Sequence, residues 1–163
     1  MKLLVYQDHQ SEPFGKWLQL RWKEPLGLPY YPYLYRWTLI LFGFTIRVHH
    51  WLSSDDNRYF HDHSCDLISM ILKGWYYNVV PVDDANPDVH NSRMIRAKAF
   101  RPWFAKATKK HYLLIPPEGA WTLLLQGRPY HKCGFYVNGH KWRPLRYFSK
   151  FGIIQDASYT GVR

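Results

Sequence analysis

From Tyr33 to Trp142 the chain is a succession of short β-type runs cut by turn signals, and this rhythm restricts it to an all-β fold. Tyr33–Leu41 and Phe44–Leu52 flank Phe42-Gly43. Arg58–His63 follows, then Leu67–Leu72 and Trp75–Val82 on either side of a Lys73-Gly74 turn. After the polar loop Asp83–Asp88 come Arg93–Phe100, His111–Ile115 and Ala120–Gln126. Lys132–Val137 and His140–Trp142 enclose Asn138-Gly139, the strongest hairpin signal in the chain. About nine strands at this spacing suit a sandwich or a closed barrel. Ahead of them, Phe14, Trp17, Leu18, Arg21 and Trp22 recur at helical spacing. That pattern predicts a short helix within Ser11–Glu24, with Pro13 in its first turn and Pro25 ending it. The expected organisation is an extension over 1–32, a barrel over 33–148 and a tail over 149–163, with Phe151–Arg163 either a short helix or disordered.

A single domain is the natural reading of 163 residues with 47% hydrophobic content. No apolar run approaches the ~20 residues of a membrane span. The N-terminal segment turns polar at Gln7, too early for an export signal, so the expected location is the cytoplasm, or a host cytoplasm if the gene is viral. Cys65 and Cys133 make no disulfide framework, and without a Cys-x-x-Cys pair a zinc ribbon is excluded. The formal charge of +10 points to anionic partners, either small phosphorylated or carboxylated molecules or nucleic acid.

The chemistry concentrates at His61-Asp62-His63-Ser64-Cys65-Asp66. In a strand His61 and His63 face the same way, about 7 Å apart, and two imidazoles so placed can converge on one metal ion. Other families that use such a pair fit less well. A TIM barrel needs about 250 residues. The metallo-β-lactamase run requires a His after the Asp, and HD-domain phosphohydrolases carry the His-Asp pair on helices. A small β-barrel with a further His on another strand is what survives.

That arrangement resembles the cupin superfamily. His61-Asp62-His63 with Gly74 matches its first motif, although the leading Gly and the motif's Glu are absent. The chain is closer still to a group of small cupin-like proteins of bacteriophage and some bacteria that carry an HDHPWDF-type run. The matching segments are Tyr35-Arg36-Trp37, Val48-His49-His50-Trp51, His61–Leu67, Ile71–Tyr76, His111-Tyr112, Trp121–Arg128 and Cys133-Gly134-Phe135. Ser64-Cys65 stands where the group has Pro-Trp, and Cys133 where it has Trp.

The resemblance implies a cupin double-stranded β-helix, in which His111 takes the place of the histidine in the second motif. His61, His63 and His111 are then the expected ligands of one divalent transition metal, Fe, Ni, Zn or Mn. Asp66 is either a fourth ligand or an acceptor that fixes a histidine tautomer. Open metal positions imply oxygenase-like or isomerase-like chemistry on a small anionic substrate. The alternative is a non-catalytic module binding a small ligand or single-stranded nucleic acid. Arg47 and His49, which share a face, and Arg96 and Arg128 are the candidate substrate contacts, with Arg36 and Arg93 of the same kind as Arg47. Cys65 is expected to be a buried apolar residue rather than a thiolate ligand. Lys98, Arg101, Lys106, Lys109 and Lys110 interleave with Trp103 and Phe104, as in binders of single strands. Cupins often pair, so a homodimer is a further expectation.

Overall fold

The computed structural model describes residues 18–28, 31–54 and 59–151. The strands are β1 (Leu18–Leu28), β2 (Tyr31–Leu41), β3 (Phe44–Trp51), β4 (Leu67–Pro81), β5 (Ser92–Lys98), β6 (Trp103–Ala105), β7 (Tyr112–Leu114), β8 (Ala120–Gln126), β9 (Phe135–Val137) and β10 (His140–Trp142). One helix, α1 (Pro144–Phe151), follows them. Every strand pairing is antiparallel, with the sheet order β1-β2-β3-β8-β4-β5, and β6 and β7 also pair with β4.

Two layers arise because β4 belongs to both. Its first half, Leu67 to Gly74, pairs with β8 and β6; its second half, Trp75 to Pro81, pairs with β5 and β7. The register slips between Ile71 and Lys73, and Gly74 takes φ +84° where an added Cβ would lie 2.8 Å from the Gly119 carbonyl oxygen. Lys73-Gly74 is therefore a bulge that bends one long strand around a corner, not a turn between two strands. The second layer is extended by His61, which bridges His111 at the head of β7 and Phe135 in the β9–β10 hairpin. Between the layers, Leu34, Trp51, Ile71 and Ala120 pack against Tyr76, Leu113 and Ile115. A second cluster forms where α1, opened by Pro144, stacks Tyr147 on Phe135 with ring centroids 4.0 Å apart.

Two sequence expectations are corrected. Residues 18–24 are strand, not helix, and 11–17 lie outside the described residues. Leu18 and Trp22 are both exposed and lie four residues apart, a spacing that one face of a strand shares with a helical turn, whereas Arg21 pairs with Thr38 on the inner face. Pro25 sits inside β1 without penalty because β1 is an edge strand. The segment around His61–His63 is not a strand; only His61 forms bridges. The helix Pro144–Phe151 is not anticipated in the sequence, and the expectation for the tail from Phe151 falls on 152–163, which lie outside the described residues. The hairpin at Asn138-Gly139 forms as expected, with both residues at positive φ.

Candidate metal centre

The irregular segment carrying His61 and His63 is held by backbone hydrogen bonds to three different partners. His61 and His111 exchange N–H···O=C bonds at 3.0 Å, Asp62 N–H donates to the Gly134 carbonyl and His63 N–H to the Ala107 carbonyl. Asp62 turns the other way from the histidines and is buried. Its carboxylate accepts from Gly134 N–H (2.7 Å), Tyr136 O–H (2.8 Å), His131 Nε2 (2.8 Å) and Lys141 Nζ (2.5 Å). Asp62 thus anchors the peptide from which both histidines project.

His61, His63 and His111 come together with one donor nitrogen each, all within 4.8 Å of one another. His63 Nε2 and His111 Nε2 are 2.7 Å apart. Metal–nitrogen bonds near 2.1 Å at right angles hold their nitrogens about 3.0 Å apart, so an ion fits with an opening of a few tenths of an ångström. The donors are also in the right protonation state. Burial is the main cause lowering all three pKa values: His61 falls to about 4 and His63 to about 3, and the neighbouring imidazoles lower His111 further. Neutral imidazoles are what a metal requires. His111 Nδ1 lies 2.7 Å from Asn78 Oδ1. With the Asn78 carbonyl oxygen accepting, Nδ1 carries the proton and Nε2 turns its lone pair into the cluster.

Asp66 is not in this group. Its carboxylate accepts from Ala107 N–H (2.8 Å) and Tyr130 O–H (2.5 Å), and these bonds hold its pKa below the usual range. The Cys65 thiol is buried and burial raises its pKa, so it stays a protonated apolar residue. Arg96 lies over the Trp75 ring at 4.4 Å, and Arg128 donates to the Phe42 carbonyl at the β2–β3 turn; neither is brought to the histidines.

Arg47 and His49 lie on the inner face of the first layer. Cross-strand pairs place Thr38, Arg47, Leu124, Ser69 and Trp103 in one row and Arg36, His49, Thr122 and Ile71 in the next. The Arg47 charge lowers the His63 and His49 pKa values, after burial as the principal cause. His49 is 8% exposed and Thr38 1%, and among the described residues neither ring nitrogen of His49 nor Thr38 Oγ1 has a hydrogen-bond partner. Arg36 is held by Glu24, Nε and Nη2 each 3.2 Å from one carboxylate oxygen. Trp103 Nε1–H donates to Tyr76 O–H at 3.1 Å while its ring lies 5.8 Å from that of His111. Its neighbour Phe104 points to the opposite face of the sheet and is exposed, so the two aromatics of the basic stretch do not share a surface. Asn78 and Tyr76 escaped sequence reasoning as site residues, and Trp103 entered it only as part of the basic, aromatic stretch. The one available signal was a lone Asn in the apolar run Trp75–Val82, a residue depleted in strands.

No protein-family model and no curated protein sequence matches the chain. Solved structures do. One of Fe(II)-HppE with the alternative substrate (S)-1-HPP superposes with a TM-score of 0.50 at 9% identity, covering 72% of this chain and 60% of that one. Another, of Fe(II) HppE, gives 0.50 at 8% identity, covering 67% and 56%. An oxalate decarboxylase gives 0.48 at 12% identity, covering 69% and 28%. The chain thus spans 60% or less of the length of each. At such identities the likeness is one of fold, and the fold class is that of the cupins, a jelly-roll of antiparallel strands. Among the described residues no helix is long and apolar enough to cross a membrane.

Proposed function

We propose that the protein is a metal-dependent cupin that processes a small anionic molecule between the two layers. The carrying observation is the convergence of three buried-side, neutral imidazoles from two separate segments on one point. Bound there, a divalent transition metal would supply Lewis acidity and open coordination positions for an oxygenase-like or isomerase-like reaction. The chain's own residues do the rest. Asn78 holds the His111 tautomer, and Asp62 anchors the His61–His63 peptide. The Arg47 guanidinium offers a bidentate partner for a carboxylate or phosphate. His49, kept neutral by burial and by Arg47 and Arg36, and the Thr38 hydroxyl have hydrogen-bonding capacity left for the polar body of a substrate. Trp103, held by its hydrogen bond to the Tyr76 hydroxyl, forms the wall beside His111. The fold is shared with an Fe(II) protein, so Fe(II) is the first ion to test.

The expectation is about one equivalent of metal per chain by elemental analysis of protein purified without added metal, falling to near zero in His61→Ala/His63→Ala. Full metal content in that double variant would refute the assignment. Added oxalate or phosphate should protect the wild-type fold against heating, and Arg47→Met should remove that protection while retaining metal.

A further inference from the structure

The chain builds a two-residue hairpin turn twice, with different residues. Leu41 pairs with Phe44 around Phe42-Gly43, and Val137 pairs with His140 around Asn138-Gly139. Both central residues have positive φ in each turn, 50° and 82° in the first and 48° and 76° in the second. Asn-Gly is the pair that this geometry favours, whereas a bulky residue at positive φ is strained. Phe42 accepts that strain and leaves its ring 55% exposed, so neither the turn nor the core accounts for it. Beside it stand Phe44, Leu41 and Leu18, the last 65% exposed. Behind them the outer face of the first layer continues apolar through Leu20, Ile46, Leu125 and Ile68. Cations border this face at both ends. Arg128 donates to the Phe42 carbonyl and lies over the Phe44 ring at 5.7 Å. At the far end Lys23 lies over the Tyr35 ring at 5.1 Å, and Lys73 pairs with Trp121.

We propose that the Phe42-Gly43-Phe44 tip and the face behind it rest on the surface of a lipid bilayer with anionic headgroups. Contact of this kind needs no spanning segment. The two phenyl rings and the neighbouring leucines enter the boundary between headgroups and acyl chains, and the release of their hydration drives the contact. Charge selects the lipid. The apolar residues named above are flanked by Lys23, Lys73 and Arg128, no Asp or Glu stands among them, and the whole chain carries a formal +10. Those borders repel a second copy laid on the same face and attract headgroup phosphates. Arg128 is placed for this, with its guanidinium beside the rings that enter and its charge directed at the headgroup level. Shape agrees, because a projecting aromatic tip sinks into a deformable surface, whereas a protein partner would need a matching hollow.

Sedimentation of the full chain with vesicles of phosphatidylcholine and phosphatidylglycerol in equal parts tests the assignment. The chain should bind these vesicles at least tenfold more tightly than vesicles of phosphatidylcholine alone, and added salt should narrow the difference. Phe42→Asn installs the residue that the turn favours, so it should unfold in denaturant no earlier than the wild type while its vesicle affinity falls at least tenfold. Arg128→Gln should weaken binding to the anionic vesicles and leave binding to phosphatidylcholine unchanged. Ile95→Asp, at an exposed position of β5 outside the face, should bind as the wild type does. Binding carried by overall charge alone would survive Phe42→Asn and would overturn the proposal. So would equal affinity for the two kinds of vesicle, or a wild-type chain that binds neither and only self-associates.

Discussion

The two faces of the first layer reverse the usual arrangement of a half-buried sheet. Inward-pointing positions carry Thr38, Arg47, Ser69, Arg36, His49 and Thr122, whereas outward-pointing ones carry leucine, isoleucine, valine, tryptophan and phenylalanine. An antiparallel sheet with one face on a core ordinarily shows the opposite. A polar interior is costly unless its groups find partners, and the small anion proposed above would supply them. The difference teaches that strand alternation fixes which residues share a face and leaves open which face the fold encloses. The interior is not wholly polar, because Leu34, Trp51, Ile71 and Ala120 concentrate the packing at the end where the second layer closes on it.

The largest expected effect that separates the faces comes from two isoleucines on one strand. Ile71 is 0% exposed and points inward. Ile71→Ala should cost about 2–5 kcal/mol in denaturant unfolding, whereas Ile68→Ala should cost less than about 1 kcal/mol under conditions where the chain is monomeric. Equal losses would break the distinction. Next comes Asn78→Leu on the opposing layer, which removes the acceptor from His111 Nδ1. Metal affinity by competitive chelation should fall about 10- to 100-fold with the fold intact by circular dichroism; unchanged affinity would mean that the tautomer is set elsewhere. The smallest effect belongs to Thr38→Val. Replacing a buried hydroxyl without a partner by a methyl group should stabilise the chain by about 1 kcal/mol, while weakening the protection that small anions confer. Destabilisation there would show that the hydroxyl already serves the fold.

Much of the architecture was legible because turn chemistry is local. Ala120–Gln126 and His140–Trp142 begin and end where the sequence reading set them, and Asn138-Gly139 needs only its own positive φ values to define its hairpin. Where the reading failed, a bulge or an ambiguous spacing intervened. The bulge before Lys73 makes a continuous strand look like two, while the i,i+4 pair Leu18 and Trp22 fits one face of a strand as well as a helical turn. The site was legible as residue types and not as contacts. His61 and His63 are two apart in sequence, but they converge through bonds to His111, Gly134 and Ala107 rather than through regular alternation. Asn78 meets His111 across 33 residues of sequence, a pairing fixed only when β4 and β7 align. Asp66 stands beside the motif, yet Tyr130 and Ala107 had claimed it in a way that no local pattern records.

β4 has a mechanical consequence. It runs unbroken for 15 residues, with Ile68 and Met70 on the outer surface at one end and Tyr76 and Asn78 beside the histidines at the other. Because one backbone joins the two layers through the bend at Gly74, the register of β4 on β8 and the placing of Asn78 against His111 are set by the same strand.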